Sequence, residues 1–136
     1  MIKLKSILLE AMSKLEVQAI VDRVFPQIVK DRGTGRQGVP KIEVHRDIYA
    51  QHSGIEDMEG ELSDSSEAEW VHEDNAIYIY FPNMRDEEHV IRSLLHEFEH
   101  THQDPKKHDE YRALGYDKNP YEIAAYKAEE KWKKYL

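Results

Sequence analysis

The chain contains no cysteine. Disulfides, thiol nucleophiles and every thiolate-bearing zinc pattern are thereby excluded, and a transition-metal site would have to draw on His, Asp and Glu. No apolar run is long enough to span a bilayer, and the opening MIKLKSILLE reaches Glu10 too soon for a secretory leader. Positive charge is in deficit: 19 Lys and Arg against 27 Asp and Glu leave a net charge of −8. That balance argues against nucleic-acid and anionic-membrane partners. The Lys-rich stretch 127–134 does not reverse it, because Glu129 and Glu130 interrupt it. The expectation is a soluble, cytoplasmic protein of one domain with one modest core.

What is present is helical period. Leu4, Ile7, Leu8, Ala11, Met12, Leu15, Ala19 and Ile20 recur at helical spacing, and Val24, Phe25 and Ile28 continue the stripe. A helix over residues 2–30 follows, with Pro26 expected to break or kink it. Glycine is scarce, six in all, and three of the six fall in DRGTGRQGVP, residues 31–40. That stretch reads as a flexible linker, since its glycines fit no phosphate-binding pattern and no strand precedes them. KIEVHRDIY, 41–49, alternates apolar and polar residues as a strand does. Residues 51–69 are acidic and small, and read as a solvated loop without EF-hand spacing.

EWVHEDNAIYIYFP, 69–82, reads as a hairpin turning at Glu73, Asp74 and Asn75, with 76–81 rich in strand formers. The period then changes. Val90, Ile91, Leu94, Leu95 and Phe98 form a helical stripe, with Asn83 able to cap it and Asp86, Glu87 and Glu88 suited to its positive end. Asp104-Pro105 is expected to end this helix, and KKHDEYRALGYDK to connect with about one helical turn. Asn119-Pro120 then starts a last helix, with Tyr121, Ala124, Ala125, Ala128, Trp132 and Tyr135 inward.

The stripe carries His96-Glu97-Phe98-Glu99-His100. Residues four apart share one helix face, so both imidazoles can reach one ion, and zinc takes neutral imidazole nitrogen at roughly 2.0–2.1 Å. Glu97 is rotated off that line. It can stand beside a coordinated water, whose pKa zinc lowers toward about 7, and take its proton as it attacks a carbonyl. The bland alternative is a solvated helix face that happens to carry His and Glu. Catalytic zinc needs a third protein ligand. His102, His108, Asp109, Glu110, Asp117 and Glu122 all lie downstream, and His102, two residues after His100, points to the far side of its helix. A metzincin pattern fails, because Lys106 and Gln103 stand where its third histidine and its glycine belong. An electrophilic stabiliser is needed too, with Tyr111, Tyr116, Tyr121 and His108 as candidates. His45, His52, His72 and His89 need no function.

HEFEH followed by NPYEIAAY resembles the small gluzincin-type zinc metallopeptidases related in outline to ImmA/IrrE-like peptidases. The resemblance covers about residues 69–130. It does not account for the N-terminal helix or the acidic loop; taken together with the helix read over 2–30, the expectation is one small α+β, zincin-like domain over 1–136: an N-terminal helix, a short antiparallel sheet, the HExxH helix and a C-terminal helix. The resemblance also implies Zn2+ held by His96, His100 and Glu122, with Glu97 as general base and Ala125 at the family's small position. The family's acid four residues after the ligand glutamate is here Tyr126, so the orienting group for a ligand histidine would be Tyr126 itself or a backbone carbonyl. Glu122 also stands where a capping-box glutamate belongs, and the two roles compete for one carboxylate.

The implied activity is peptide-bond hydrolysis, with an extended peptide or protein substrate pairing with the free edge of strand 76–81. Two other readings remain. One is a zinc-bound regulatory or binding module with little turnover, which would have no use for Glu97. The other is a zinc amidohydrolase acting on a non-protein substrate; the peptide deformylases are excluded because their third ligand is a cysteine.

Overall fold

A computed structural model describes residues 12–47 and 66–136. The expected stripe positions Leu4, Ile7, Leu8 and Ala11, His52, and most of the acidic stretch lie outside the described residues. Helix α1 spans Lys14–Arg32. A capping box starts it: Ser13 Oγ accepts from the Glu16 N–H and Glu16 accepts from the Ser13 N–H, both at 3.1 Å. The helix expected from residue 2 therefore has a start inside it. Pro26 does not break α1. It lies on the exposed face, where water can meet the carbonyl it leaves free. Val17, Val21, Val24, Phe25 and Ile28 pin the helix to the core on both sides of it.

Gly33 ends α1 with φ 78° and donates its N–H to Val29 O at 2.8 Å. The stretch after it is not a flexible linker. Gly35 and Gly38 pair across a tight turn, and Arg36 N–H donates to Thr101 O at 2.9 Å. Gly35 lies so close to Thr101 that a Cβ there would fall 2.4 Å from Thr101 Oγ1.

Strands β1 (Lys41–His45), β2 (Ala68–Val71) and β3 (Ala76–Tyr80) form a sheet in the order β1-β3-β2. The hairpin pairs β2 with β3 antiparallel, Trp70 opposite Ile77, but β1 pairs with β3 in parallel, Ile42 opposite Ile77. The sheet is therefore mixed, not antiparallel as expected. Alternation identifies a strand without giving its direction; a parallel pair needs only a long connection, which residues 46–75 supply. Strand β3 is central, and all five of its residues are buried, as a strand with neighbours on both sides requires. Among the described residues the sheet edge beside the candidate site is β2, not strand 76–81 as expected.

Helix α2 spans Glu87–Thr101. Asp86, not Asn83, caps it, accepting from the His89 N–H at 2.8 Å. Asn83 sits in a 3-10 turn, Phe81–Asn83, and donates to Ser66 O. Val90, Ile91, Leu94, Leu95 and Phe98 are fully buried between α1 and the sheet, and Phe98 meets Phe25 edge-on at 5.5 Å. Helix α2 ends at Thr101, just ahead of Asp104-Pro105, and that dipeptide also begins α3, Pro105–Arg112, with Asp104 accepting from Lys106 N–H at 3.0 Å. An Asp before Pro satisfies the first-turn donors of a new helix as readily as it marks the end of an old one. Helix α4, Pro120–Glu129, lies along α2 through the buried Ala125 and Ala128, and a 3-10 turn, Trp132–Tyr135, brings Tyr135 into the core. Ala124 and Tyr121 are only partly buried. The described residues thus form a small α+β arrangement of four helices and a three-stranded mixed sheet, and no helix among them is long and apolar enough to cross a membrane.

Candidate metal centre

Helix α2 presents His96 and His100 one turn apart toward α4. Glu122, in the first turn of α4, reaches back between them: its Oε1 lies 3.1 Å from His96 Nε2 and 2.9 Å from His100 Nε2. One ligand atom from each of the three falls within 4.8 Å of the others. Donors about 2.1 Å from a tetrahedral ion stand about 3.4 Å apart, so the spacing suits the donor set of two imidazole nitrogens and a carboxylate.

The competition for Glu122 is resolved by its neighbours. Asn119 caps α4, its Oδ1 accepting from the N–H groups of Tyr121 and Glu122 at 2.9 and 3.3 Å. The Asn119 N–H, which a capping-box glutamate would satisfy, donates instead to Gly115 O at 3.1 Å. Glu122 is therefore free to face the histidines.

Each histidine is also held from behind. His96 Nδ1 donates to Glu129 Oε2 at 2.7 Å, and His100 Nδ1 donates to Gln103 Oε1 at 2.7 Å. A carboxylate only accepts. The Gln103 amide is oriented by its own Nε2, which donates to Tyr121 O at 3.1 Å. Both rings thus keep the proton on Nδ1 and turn Nε2 toward Glu122, the arrangement metal-binding histidines need. The orienting acid is Glu129, neither Tyr126 nor a backbone carbonyl. Tyr126 packs its ring edge-on against His96 at 4.8 Å. Glu129 lies two helical turns beyond Glu122, on the same face; extending the search from one turn to two finds it.

The electrostatics follow from this packing. Burial opposes the charge on His96, yet the carboxylates of Glu122 and Glu129 outweigh it and push the ring up to about 10. His100 is raised too, burial being outweighed chiefly by Glu122. Burial also disfavours the Glu122 charge, but His100 and His96 hold that carboxyl well below the usual range.

Glu97 lines the same cleft as the two rings and reaches to the sheet, where it accepts the Trp70 N–H of β2 at 3.0 Å. Burial pushes its carboxyl up to about 7, against the pull of His100 and His96. The strand edge thus positions the acid through its backbone, a contact no residue pattern announces.

The other candidates separate clearly. His102 turns away, its ring toward the carbonyls of Phe98 and Gly33. Asp109, Glu110 and Asp117 are exposed. His108 stacks edge-on against His100 at 5.0 Å but stays outside the converging group. Its buried Nε2 has no hydrogen-bond partner among the described residues, and burial followed by the His100 charge lowers its pKa. Tyr121 is engaged elsewhere, its hydroxyl accepting from Asp104 N–H, and Tyr111 packs on Tyr121. Tyr116 and His108 line a cleft of about 880 Å³ in front of His96, His100 and Glu122, walled on the other side by Glu69, Trp70 and His72.

No protein-family model, curated protein or solved structure matches the chain.

Proposed function

We propose that the protein is a zinc-dependent peptidase whose general base is Glu97. The observation that carries this reading is the convergence of His96, His100 and Glu122 at the floor of a cleft, with a partly buried carboxylate tied beside them to a strand edge. The donor set fits zinc: two imidazoles with oriented Nε2 atoms and one carboxylate, with no thiolate in the chain. Zinc bound there would supply a Lewis acid that polarises a carbonyl and lowers the pKa of water toward about 7.

The chain's own groups supply the rest. Burial strengthens Glu97 as a base, and the Trp70 N–H fixes its direction. As a carboxylate it takes a proton from the attacking water, whose oxygen bonds to the substrate carbonyl carbon. It then returns that proton to the amine nitrogen as the C–N bond breaks. His108, packed against His100, and Tyr116 line the same cleft and are the groups from which the developing negative charge on the carbonyl oxygen can meet a donor. The edge of β2 offers main-chain groups beside the base, so an extended peptide pairing there is laid along the metal centre.

Glu97→Gln tests the reading. The variant should bind zinc as the wild type does and lose hydrolysis of a quenched fluorescent peptide library by at least about 100-fold. Loss of zinc would assign Glu97 to metal retention instead. Equal hydrolysis would remove it as the base.

A further inference from the structure

Seven large apolar side chains are exposed among the described residues, and four of them fall between positions 114 and 126: Leu114, Tyr116, Ile123 and Tyr126. Scattered exposure of this kind is ordinary; concentration beside a cleft is not. Ile123, Tyr126, Lys127 and Glu130 recur at helical spacing along the outward face of α4 and its C-cap. With Tyr116 and Asp117 from the preceding loop, they line a second hollow of about 570 Å³.

This hollow is continuous with the metal centre in two ways. Tyr116 lines both depressions. Tyr126, more than half exposed, lies edge-on to the His96 ring at 4.8 Å, so one of its walls begins at a ligand side chain. The rim carries Asp117 and Glu130 against Lys127, a net single negative charge that disfavours an acidic side chain and leaves the large side chains of Tyr116, Ile123 and Tyr126 to set the preference. Three apolar side chains are also far short of the roughly 800 Å² per partner that a stable protein interface buries. They suit a single side chain instead. An extended peptide advances about 3.3–3.6 Å per residue, so a hollow that shares Tyr116 with the cleft and abuts His96 through Tyr126 lies within a few residues' reach of the metal centre.

We propose that the hollow between Tyr116, Ile123 and Tyr126 is a specificity subsite, taking a large aliphatic or aromatic side chain within a few residues of the bond that is cut. The identity of that bond rests on the peptidase reading; the binding preference does not.

The test uses the full zinc-loaded chain and a panel of peptide hydroxamates in which one Phe is scanned against Ala at each of the three positions nearest the chelating group. Affinity is measured by calorimetry, and hydrolysis is not read. At one position Phe should bind about 10- to 100-fold more tightly than Ala, the range expected for burying one large apolar side chain. In Ile123→Asp that ratio should collapse toward one while zinc content, measured by elemental mass spectrometry, stays the same. A ratio near one at every position in the wild type, or a ratio unchanged in Ile123→Asp, overturns the subsite. So does a dimer in light scattering that Ile123→Asp dissolves, since a second copy would then own the face. If the Phe preference appears but no peptide is ever cleaved, the peptidase reading fails and the subsite stands as a binding site.

Discussion

Zinc should expel protons when it enters this site, and their number follows from the packing. In the metal-free protein His96 is clamped between Glu122 and Glu129, which push it up to about 10. At pH 7 its ring is then almost wholly protonated, and a metal must displace about one full proton to reach Nε2. His100 is raised above its ordinary 6.5, so it contributes more than the roughly one-quarter proton that an unperturbed imidazole carries at pH 7. Together the two histidines give between about 1.2 and 2 protons released per zinc at pH 7, and Glu97, pushed up to about 7, adds up to about half a proton as the ion's charge lowers it. By linkage the number released is the slope of log affinity against pH, so apparent affinity should rise at least about 10-fold from pH 7 to pH 8 on account of His96 alone. Calorimetric titration in two buffers of different ionisation enthalpy counts the protons directly. Glu129→Gln removes one of the two carboxylates that raise His96 and should lower the count. Release of less than about half a proton at pH 7 would refute the reasoning, because His96 would then not be held as an imidazolium by its two carboxylates.

The same clamp should make the metal-free fold sensitive to alkali. His96 has a folded pKa above its ordinary 6.5, so its stabilisation is complete below pH 6.5 and drains away as pH rises toward about 10, by an amount on the order of a few kcal/mol. The melting temperature of the metal-free protein should fall over that window, and that of the zinc-loaded protein should not follow it; parallel curves would count against the clamp. Gly35→Ala should destabilise by about 1–3 kcal/mol in urea denaturation, because the added Cβ would lie 2.4 Å from Thr101 Oγ1 and force the turn off the end of α2. An unchanged midpoint would show that the turn yields without cost.

The sequence carried the parts of this molecule that depend on local pattern. The buried stripe from Val90 to Phe98 follows from helical period, and the cap at Asn119 with Pro120 after it follows from first-turn chemistry. The turn at Asp74 and Asn75 follows from residue type; Asn75 takes φ 45°, a conformation asparagine tolerates. Local rules misled where two meanings share one signal. Pro26 can break a helix or ride its outer face, and burial of Val24, Phe25 and Ile28 decided for the latter. Asp104-Pro105 can close one helix or open the next, and here it follows the one and begins the other. Ser13 and Glu16 did form a legible capping box, but the apolar spacing that runs across them masked it.

Long-range relations were not legible at all. Nothing in KIEVH says that it lies parallel to AIYIY, and nothing in the hairpin says that its second strand is central. In the candidate site, the spacing of His96, Glu97 and His100 was readable because it is a property of one helix. Glu129 sits on another helix at a spacing of two turns from Glu122, and Gln103 and the Trp70 N–H carry no ligand signature.

The two histidines and Glu97 share one helix but take their bearings from different neighbours. His96 and His100 are held by the side chains of Glu129 and Gln103, whereas Glu97 is held by the main-chain N–H of Trp70. The ties to Glu129 and to Trp70 span similar stretches of chain, 33 residues from His96 to Glu129 and 27 from Trp70 to Glu97, so neither is favoured by a shorter loop closure. They differ in what a substitution can remove. Any residue except proline supplies an N–H at position 70, so the direction of Glu97 is insensitive to the side chain there, while a single replacement at Glu129 or Gln103 releases a histidine ring.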